Sequence, residues 1–79
     1  MSETNKKINQ IVKEVMDIDI SMINSETKFS EISNWDSFNT LMLISRLQED
    51  FNIEFTAFEI EETKKITDLY NLINNKIFN

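Results

Sequence analysis

The sequence predicts an all-α protein, a four-helix bundle with three longer helices, one short helix and a long loop after the first helix. Apolar residues recur three and four positions apart in three segments, which is the spacing of one face of a helix. A capping pattern that begins at Thr56 predicts the fourth, short helix. No segment alternates apolar and polar residues over its length as a half-buried strand would, and the alternation from Phe51 to Phe55 is too brief to predict a strand.

The three longer helices are predicted to share one core. The first covers residues 3–16, the strongest covers residues 37–51, and the last carries apolar residues from Ile66 to Ile77. Each of them has an apolar face that has to be buried against its neighbours. We expect the core to form around eight residues of these faces: Ile11, Val15, Leu43, Ile44, Leu47, Phe51, Leu69 and Ile73.

The helix ends have to be set by Asn, Asp, Ser and Thr, because the chain contains no glycine and no proline. Asn52 directly follows the strongest helix and is placed to adopt the left-handed conformation that glycine usually supplies at this position. Thr56 and Glu59 fit a capping box, and Phe55 and Ile60 have the spacing of its hydrophobic staple.

Residues 17–35 are predicted to form a long ordered loop, because serine and asparagine interrupt the helical pattern. Five apolar residues recur in this loop without a helical period, and we expect them to hold it against the core: Ile18, Ile20, Ile23, Phe29 and Ile32. Trp35, at the end of the loop, is interpreted as a further anchor. A loop of this length in a small domain often has a function.

Residue types that the chain lacks exclude several kinds of active site. The 79 residues suffice for one domain, which we place over residues 1–79. Without histidine and cysteine there is no Ser-His-Asp triad, no thiolate nucleophile and no His- or Cys-based metal site, and without glycine there is no Gly-rich phosphate loop. A carboxylate enzyme would need a deep pocket, for which this domain leaves little room. We therefore interpret the chain as a protein that enzymes act on, and not as an enzyme.

The charge of the chain is unevenly distributed. The formal net charge is −6, yet the segment from Glu14 to Glu62 contains twelve acidic and only two basic residues. An acidic middle repels nucleic-acid phosphates and anionic membranes and attracts basic protein surfaces, although acids can also serve only to keep a small domain soluble. The longest apolar run, Leu41 to Ile44, is far too short to cross a bilayer, and the polar N-terminus has no apolar signal segment. We expect a cytoplasmic monomer.

Asp36 and Ser37 stand between the long loop and the strongest helix, with Asp36 placed as the N-cap and Ser37 as the first helical residue. The first turn of a helix has unpaired backbone N–H groups and a partial positive charge. A phosphate esterified to the Ser37 hydroxyl would therefore be favoured there. As a bare dipeptide, however, Asp-Ser is most often only a capping pair.

The surrounding residues change this interpretation. The stretch resembles the centre of an acyl carrier protein, a family in which Asp-Ser-Leu opens the second helix, an apolar pair follows six and seven residues past the serine, and a Leu-acid-acid-Phe pattern ends the helix. The resemblance covers nearly the whole chain, from Asn5 to Asn75. The residues that carry it are Trp35-Asp36-Ser37-Phe38, Leu43-Ile44, Leu47-Gln48-Glu49-Asp50-Phe51 and Ile53-Glu54-Phe55, with Phe38 in place of the usual leucine.

The resemblance implies a function. A phosphopantetheinyl transferase would move 4′-phosphopantetheine from coenzyme A onto Ser37, with Asp36 as helix cap and as part of what the transferase recognises. The thiol of this arm would carry an acyl group as a thioester and deliver it to acyl-activating, acyl-transferring or synthase enzymes with basic patches. Trp35 replaces the small residue usual in fatty-acid synthesis members, and so resembles the Trp-Asp-Ser carriers that often serve specialised pathways such as surface-sugar modification.

The resemblance also implies a surface that partner enzymes contact. Phe38, Leu41 and Met42 extend the apolar surface of the second helix beyond its core face, and Phe38 and Met42 should be partly exposed unless the long loop covers them. Ser45 replaces an apolar residue of the family pattern, and Asn39 and Met42 stand where acids are common. The acids that could meet basic partners are Asp36, Glu49, Asp50, Glu54, Glu59, Glu61 and Glu62.

Two alternatives stay open from the sequence. The same fold and arm can carry an aminoacyl or peptidyl group, and only the activating enzyme decides between these cargoes. The same helices can also form a protein-binding module that is never modified. Intact mass separates the unmodified module from both kinds of carrier.

Overall fold

A computed structural model describes residues 3–22, 24, 26–32 and 35–78. Over these residues the chain forms no strand and four α-helices, α1 (Glu3–Met16), α2 (Ser37–Phe51), α3 (Ala57–Glu62) and α4 (Ile66–Phe78). The predicted all-α class with three longer helices and one short helix is confirmed. The long loop is more regular than predicted, because it contains two 3₁₀ turns, Ile20–Met22 and Phe29–Glu31. In the part of the chain that is described, no helix is long and apolar enough to span a membrane.

Helices α1 and α2 end in the same way, although the chain has no glycine. Asn52 follows α2 with φ 55° and ψ 51°, and Asp17 follows α1 with φ 53°. In both places the backbone N–H of the next residue donates to the carbonyl five positions earlier, at 3.3 Å after α1 and 3.1 Å after α2. Asn and Asp tolerate this left-handed conformation better than most residues with a Cβ. The prediction for Asn52 is confirmed, whereas the turn at Asp17 was not predicted.

Helix α3 has no buried residue, so its position depends on hydrogen bonds and an ion pair at its ends. The Thr56 hydroxyl accepts the Glu59 N–H at 3.1 Å, and the Glu59 carboxylate accepts the Thr56 N–H at 2.9 Å, which confirms the predicted capping box. The same carboxylate pairs with the Lys76 ammonium of α4 at 2.9 Å. Phe55 and Ile60, the predicted staple, are half-buried and line one cavity. The short helix is thereby fixed beside α4.

The core lies between α1, α2 and α4. Its buried apolar residues are at most 3% exposed: Ile8, Ile11, Val12, Met16, Phe29, Leu43, Leu47, Ile66, Leu69 and Ile73. Five of the eight residues predicted for the core are among them, whereas Val15, Ile44 and Phe51 are only half-buried. Phe51 is the last residue of α2; it packs against the edge of the core, and the ammonium of Lys7 lies 5.1 Å from its ring centroid.

The loop is joined to the start of α4 by two backbone hydrogen bonds. The N–H of Phe29 donates to the carbonyl of Lys64, and the N–H of Ile66 donates to the carbonyl of Thr27, each at 3.0 Å. These bonds surround an isolated antiparallel bridge, and they hold Phe29 where its ring is buried in the core. A loop that would otherwise lie on the surface thus contributes the side chain of Phe29 to the interior.

The prediction that apolar residues hold the loop against the core is confirmed where the structure describes them. Phe29 is buried, and Ile18 and Ile32 pack against the core cluster. Ile23 and the side chain of Ile20 lie outside the described residues. The described part of the loop is therefore held against the core by these three side chains.

Candidate functional site

The start of α2 is fixed by Asp36, as predicted. Its backbone is extended, and its carboxylate accepts the Asn39 N–H at 2.7 Å. Its carbonyl accepts both the N–H of Thr40 at 2.9 Å and the hydroxyl of Thr40 at 2.7 Å. The cap makes Ser37 the first residue of α2, so the position of the serine is set by the rigid first turn and not by the loop before it.

Ser37 is exposed, and its hydroxyl makes no hydrogen bond to another described residue. It lies beside a surface groove whose other walls include Trp35, Thr40 and Leu41. The first turn of α2 supplies a partial positive charge next to this oxygen. A phosphate ester on Ser37 therefore fits this position, since it would extend into solvent and would break no contact of the fold.

Three apolar side chains lie exposed next to Ser37 on α2. The exposed fractions are 69% for Phe38, 66% for Leu41 and 46% for Met42. The loop does not cover them, so the expected exposure of Phe38 and Met42 is confirmed. We call these three residues the apolar patch. An exposed cluster of this kind next to a modifiable side chain is typical of a surface that another protein contacts.

Four of the predicted partner-binding acids are exposed and form no ion pair within the described part of the chain: Glu49, Glu54, Glu61 and Glu62. Glu49 and Glu54 line one surface groove together with Ser45, near the end of α2. The apolar patch therefore lies near the start of α2 and Glu49 near its end, while Glu54 follows the helix.

The other predicted acids already bond within the chain. Asp50 pairs with Arg46 at 3.4 Å. Glu59 accepts the N–H of Thr56 and pairs with Lys76, and these two interactions lower the pKa of its carboxyl from the ordinary value of 4.5. Both side chains are partly shielded by their partners, at 28% and 27% exposed, so they offer less charge to a second protein than the unpaired acids do.

Trp35 packs against the core and stacks on Phe29, with the ring centroids 4.9 Å apart and the planes inclined by 15°. Offset stacking at this distance adds to the apolar burial of both rings. The predicted role of Trp35 as an anchor of the loop is confirmed. Because Trp35 immediately precedes Asp36, the stack also fixes the chain that enters the cap.

An apolar cavity of about 50 Å³ lies below the site, between the loop, α2, α3 and α4. Trp35 and Thr40 line both this cavity and the groove beside Ser37. Sequence reasoning missed the cavity. No sequence pattern points to it, because its lining residues come from the loop, α2, α3 and α4 and are distant in the sequence. The apolar residues that line the cavity include Phe29, Leu43, Ile44, Phe55, Leu69 and Leu72.

Comparison with known proteins agrees with an exposed serine at the start of α2 that can bear a phosphate ester. The sequence matches the protein family described as phosphopantetheine attachment site over residues 6–73. It is 34% identical over 76 residues to an acyl carrier protein of Thermosynechococcus vestitus, covering 96% of this chain and 94% of the relative. It is 30% identical over 78 residues to an acyl carrier protein of Buchnera aphidicola, covering 99% of this chain and all of the relative.

The fold is similar to a solution NMR structure of the holo acyl carrier protein from Geobacter metallireducens, with a TM-score of 0.86 at 28% identity, covering 98% of this chain and 88% of that one. Proteins of this kind are carriers and not enzymes, which agrees with the interpretation from composition. The sequence match, the relatives and the fold lead to one conclusion: the chain belongs to the acyl carrier protein family, whose members bear a covalently attached phosphopantetheine group.

Proposed function

We propose that Ser37 bears the 4′-phosphopantetheine arm and that the chain delivers an acyl group, held on that arm, to partner enzymes. The observation that supports this most directly is the exposure and the free hydroxyl of the Ser37 side chain. Ser37 is exposed at the first position of α2, with its hydroxyl unbonded to the described residues and its backbone held by the Asp36 cap. When bound, the arm supplies a thiol that forms a thioester with the acyl group.

Loading of Ser37 is a phosphoryl-transfer step that needs a proton acceptor. The serine oxygen bonds to the phosphorus at the phosphopantetheine end of the coenzyme A pyrophosphate, and 3′,5′-ADP leaves as its phosphoanhydride bond breaks. The Asp36 carboxylate accepts the Asn39 N–H and serves the helix. We therefore assign the base that takes the hydroxyl proton to the transferase, and to Asp36 the roles of cap and recognition element.

We assign contact with partner enzymes to the apolar patch together with the unpaired acids Glu49, Glu54, Glu61 and Glu62. An apolar anchor surrounded by charges is the usual composition of a small protein interface. Asp50 and Glu59 belong to the same predicted surface but contribute less, because each is already paired within the chain. Asn39 and Met42 stand next to Ser37 at positions where acids are common in the family members of fatty-acid synthesis. The surface there is less acidic than in those members, which favours dedicated partners of a specialised pathway over the general enzymes of fatty-acid synthesis.

Intact mass spectrometry tests the attachment site. Incubation with a phosphopantetheinyl transferase and coenzyme A is expected to add the mass of one phosphopantetheine to the wild type and none to Ser37→Ala. Ser45→Ala is the matched control, since Ser45 is a second exposed serine of the same helix and this variant should still be loaded. An unchanged wild-type mass with several transferases would instead favour an unmodified binding module.

The cargo is identified by intact mass spectrometry of the protein purified from its native cell. The mass added beyond the arm distinguishes an acyl group from an aminoacyl or peptidyl group, which the same arm could carry. We expect an acyl group, because the relatives that cover this chain are acyl carrier proteins. An amino acid released by mild base would contradict this expectation.

A further inference from the structure

Helix α3 carries Glu61 and Glu62, two of the four unpaired acids to which we assign contact with partner enzymes. None of its residues is buried, so apolar burial fixes α3 less firmly than it fixes the three longer helices. The chain that enters α3 is tied to α2, because the side-chain carbonyl of Gln48 accepts the Phe55 N–H at 2.9 Å. The bonds of α3 itself then decide where its two unpaired acids lie on the surface.

The carboxylate of Glu59 joins α3 to α4. Its Oε1 accepts the Thr56 N–H at 2.9 Å in the capping box, and its Oε2 pairs at 2.9 Å with Nζ of Lys76, in the last turn of α4. The same ammonium lies 5.9 Å from the ring centroid of Phe55, directly before the cap. One lysine of α4 thereby contacts both α3 and the segment that leads into it.

This ion pair is better shielded from solvent than the other pairs between described residues. Its two side chains are 23% and 27% exposed, whereas Lys65 and Glu26, which pair at 3.0 Å between the loop and the start of α4, are more exposed. Charges that are partly withdrawn from water are screened less than fully exposed ones. Of the three acids of α3, only Glu59 forms an ion pair with another described residue.

We propose that Lys76 is a positioning residue for partner contact, an inference that rests on the contact role proposed for Glu61 and Glu62. By pairing with Glu59 it holds α3 on α4, so that both acids lie where the basic surface of a partner enzyme contacts them. Lys76 belongs to none of the residues assigned to that contact surface, and its own charge repels a basic partner. Its loss is therefore expected to weaken partner contact, although it removes a repulsive charge.

Two variants break the pair and change the net charge in opposite directions. Glu59→Gln keeps the capping box, because glutamine fills the same position of this motif, and Lys76→Met keeps the unbranched apolar stem. In both we expect the backbone amides that bond within α3, those of Ile60 and Thr63, to exchange hydrogen about threefold faster than in the wild type. The double variant should exchange no faster than either single variant, and Lys76→Arg should exchange like the wild type. NMR measures the exchange.

Loading by a phosphopantetheinyl transferase with coenzyme A reports the contact itself. In both variants the KM for the carrier should rise about threefold with kcat unchanged, because binding and not the chemical step is affected. Surface charge acting alone would raise the KM of Glu59→Gln and lower that of Lys76→Met. Glu26→Gln and Lys65→Met are the matched controls, since they break an ion pair that does not involve α3, and they should leave exchange and KM unchanged.

Unchanged exchange of the α3 amides, or opposite changes of KM in the two variants, would overturn the role of Lys76. Lys76→Gln takes the place of Lys76→Met should that variant fail to fold. Replacement of Glu61 and Glu62 together by glutamine is the reference for the contact and should raise the KM at least as much. If this reference variant is loaded like the wild type, the contact assigned to the two acids is wrong. Failure of the wild type to gain mass would count against attachment at Ser37 instead.

Discussion

Two leucines of α2 differ completely in their surroundings. Leu47 is 0% exposed and lies in the core, whereas Leu41 is 66% exposed beside Ser37. They are the same residue type on the same helix, and the position around the helix axis alone decides which of them stabilises the fold. The comparison shows that the apolar residues of α2 lie on two different faces, since one face holds the bundle together and the other carries the exposed apolar patch that we propose as a contact surface for partner enzymes.

The largest effect that this comparison predicts is on stability. Leu47→Ala should lower the free energy of unfolding by about 2–5 kcal/mol, because it removes a fully buried side chain and leaves a cavity. Leu41→Ala should change it by less than about 0.5 kcal/mol. Urea unfolding followed by circular dichroism measures both, with the difference taken from the midpoints at equal slope. Equal losses in the two variants would mean that the two faces of α2 are not distinct.

Both faces of α2 could be predicted from the sequence because they depend on local periodicity. The spacing of Leu43 and Leu47 fixes the core face, and Phe38 and Met42 then fall outside it. The caps at Asp36 and Thr56 were predictable for the same reason, since a cap depends on residues within one turn.

The features that escaped prediction join residues that are distant in sequence. The stack of Trp35 on Phe29 and the backbone bonds that join the loop to Lys64 and Ile66 leave no periodic pattern. Phe29 could be predicted to hold the loop against the core, but the cavity beside it could not be derived. Ser37 was predicted as the attachment site from its cap together with the family resemblance, and not from the dipeptide alone.

A loss of stability of intermediate size is expected at Asp36, where two substitutions separate the role of the helix cap from that of the negative charge. Asp36→Ala should cost about 1 kcal/mol of stability, because the Asn39 N–H loses its acceptor. Asp36→Asn should keep most of the stability, since asparagine caps nearly as well. If a transferase recognises the charge, loading of the Asn variant slows by about tenfold, which corresponds to about 1.4 kcal/mol. Loading rates are followed by intact mass, and loading of Asp36→Asn as fast as the wild type would contradict the recognition role.

The smallest effect on stability, and the sharpest test of the outward face, is expected for Phe38→Ala. Phe38 is 69% exposed, so its loss should change the free energy of unfolding by less than about 0.5 kcal/mol. Loss of an aromatic anchor from an interface typically weakens binding by more than 1.4 kcal/mol, so transfer to and from a partner enzyme should fall by about tenfold or more. Phe78→Ala, which removes an equally exposed ring from the end of α4, should leave transfer unchanged. Global unfolding of Phe38→Ala in circular dichroism would place this ring with Leu47 in the core, and equal loss of transfer in both variants would show that exposure of an aromatic ring, and not its place beside Ser37, governs the contact.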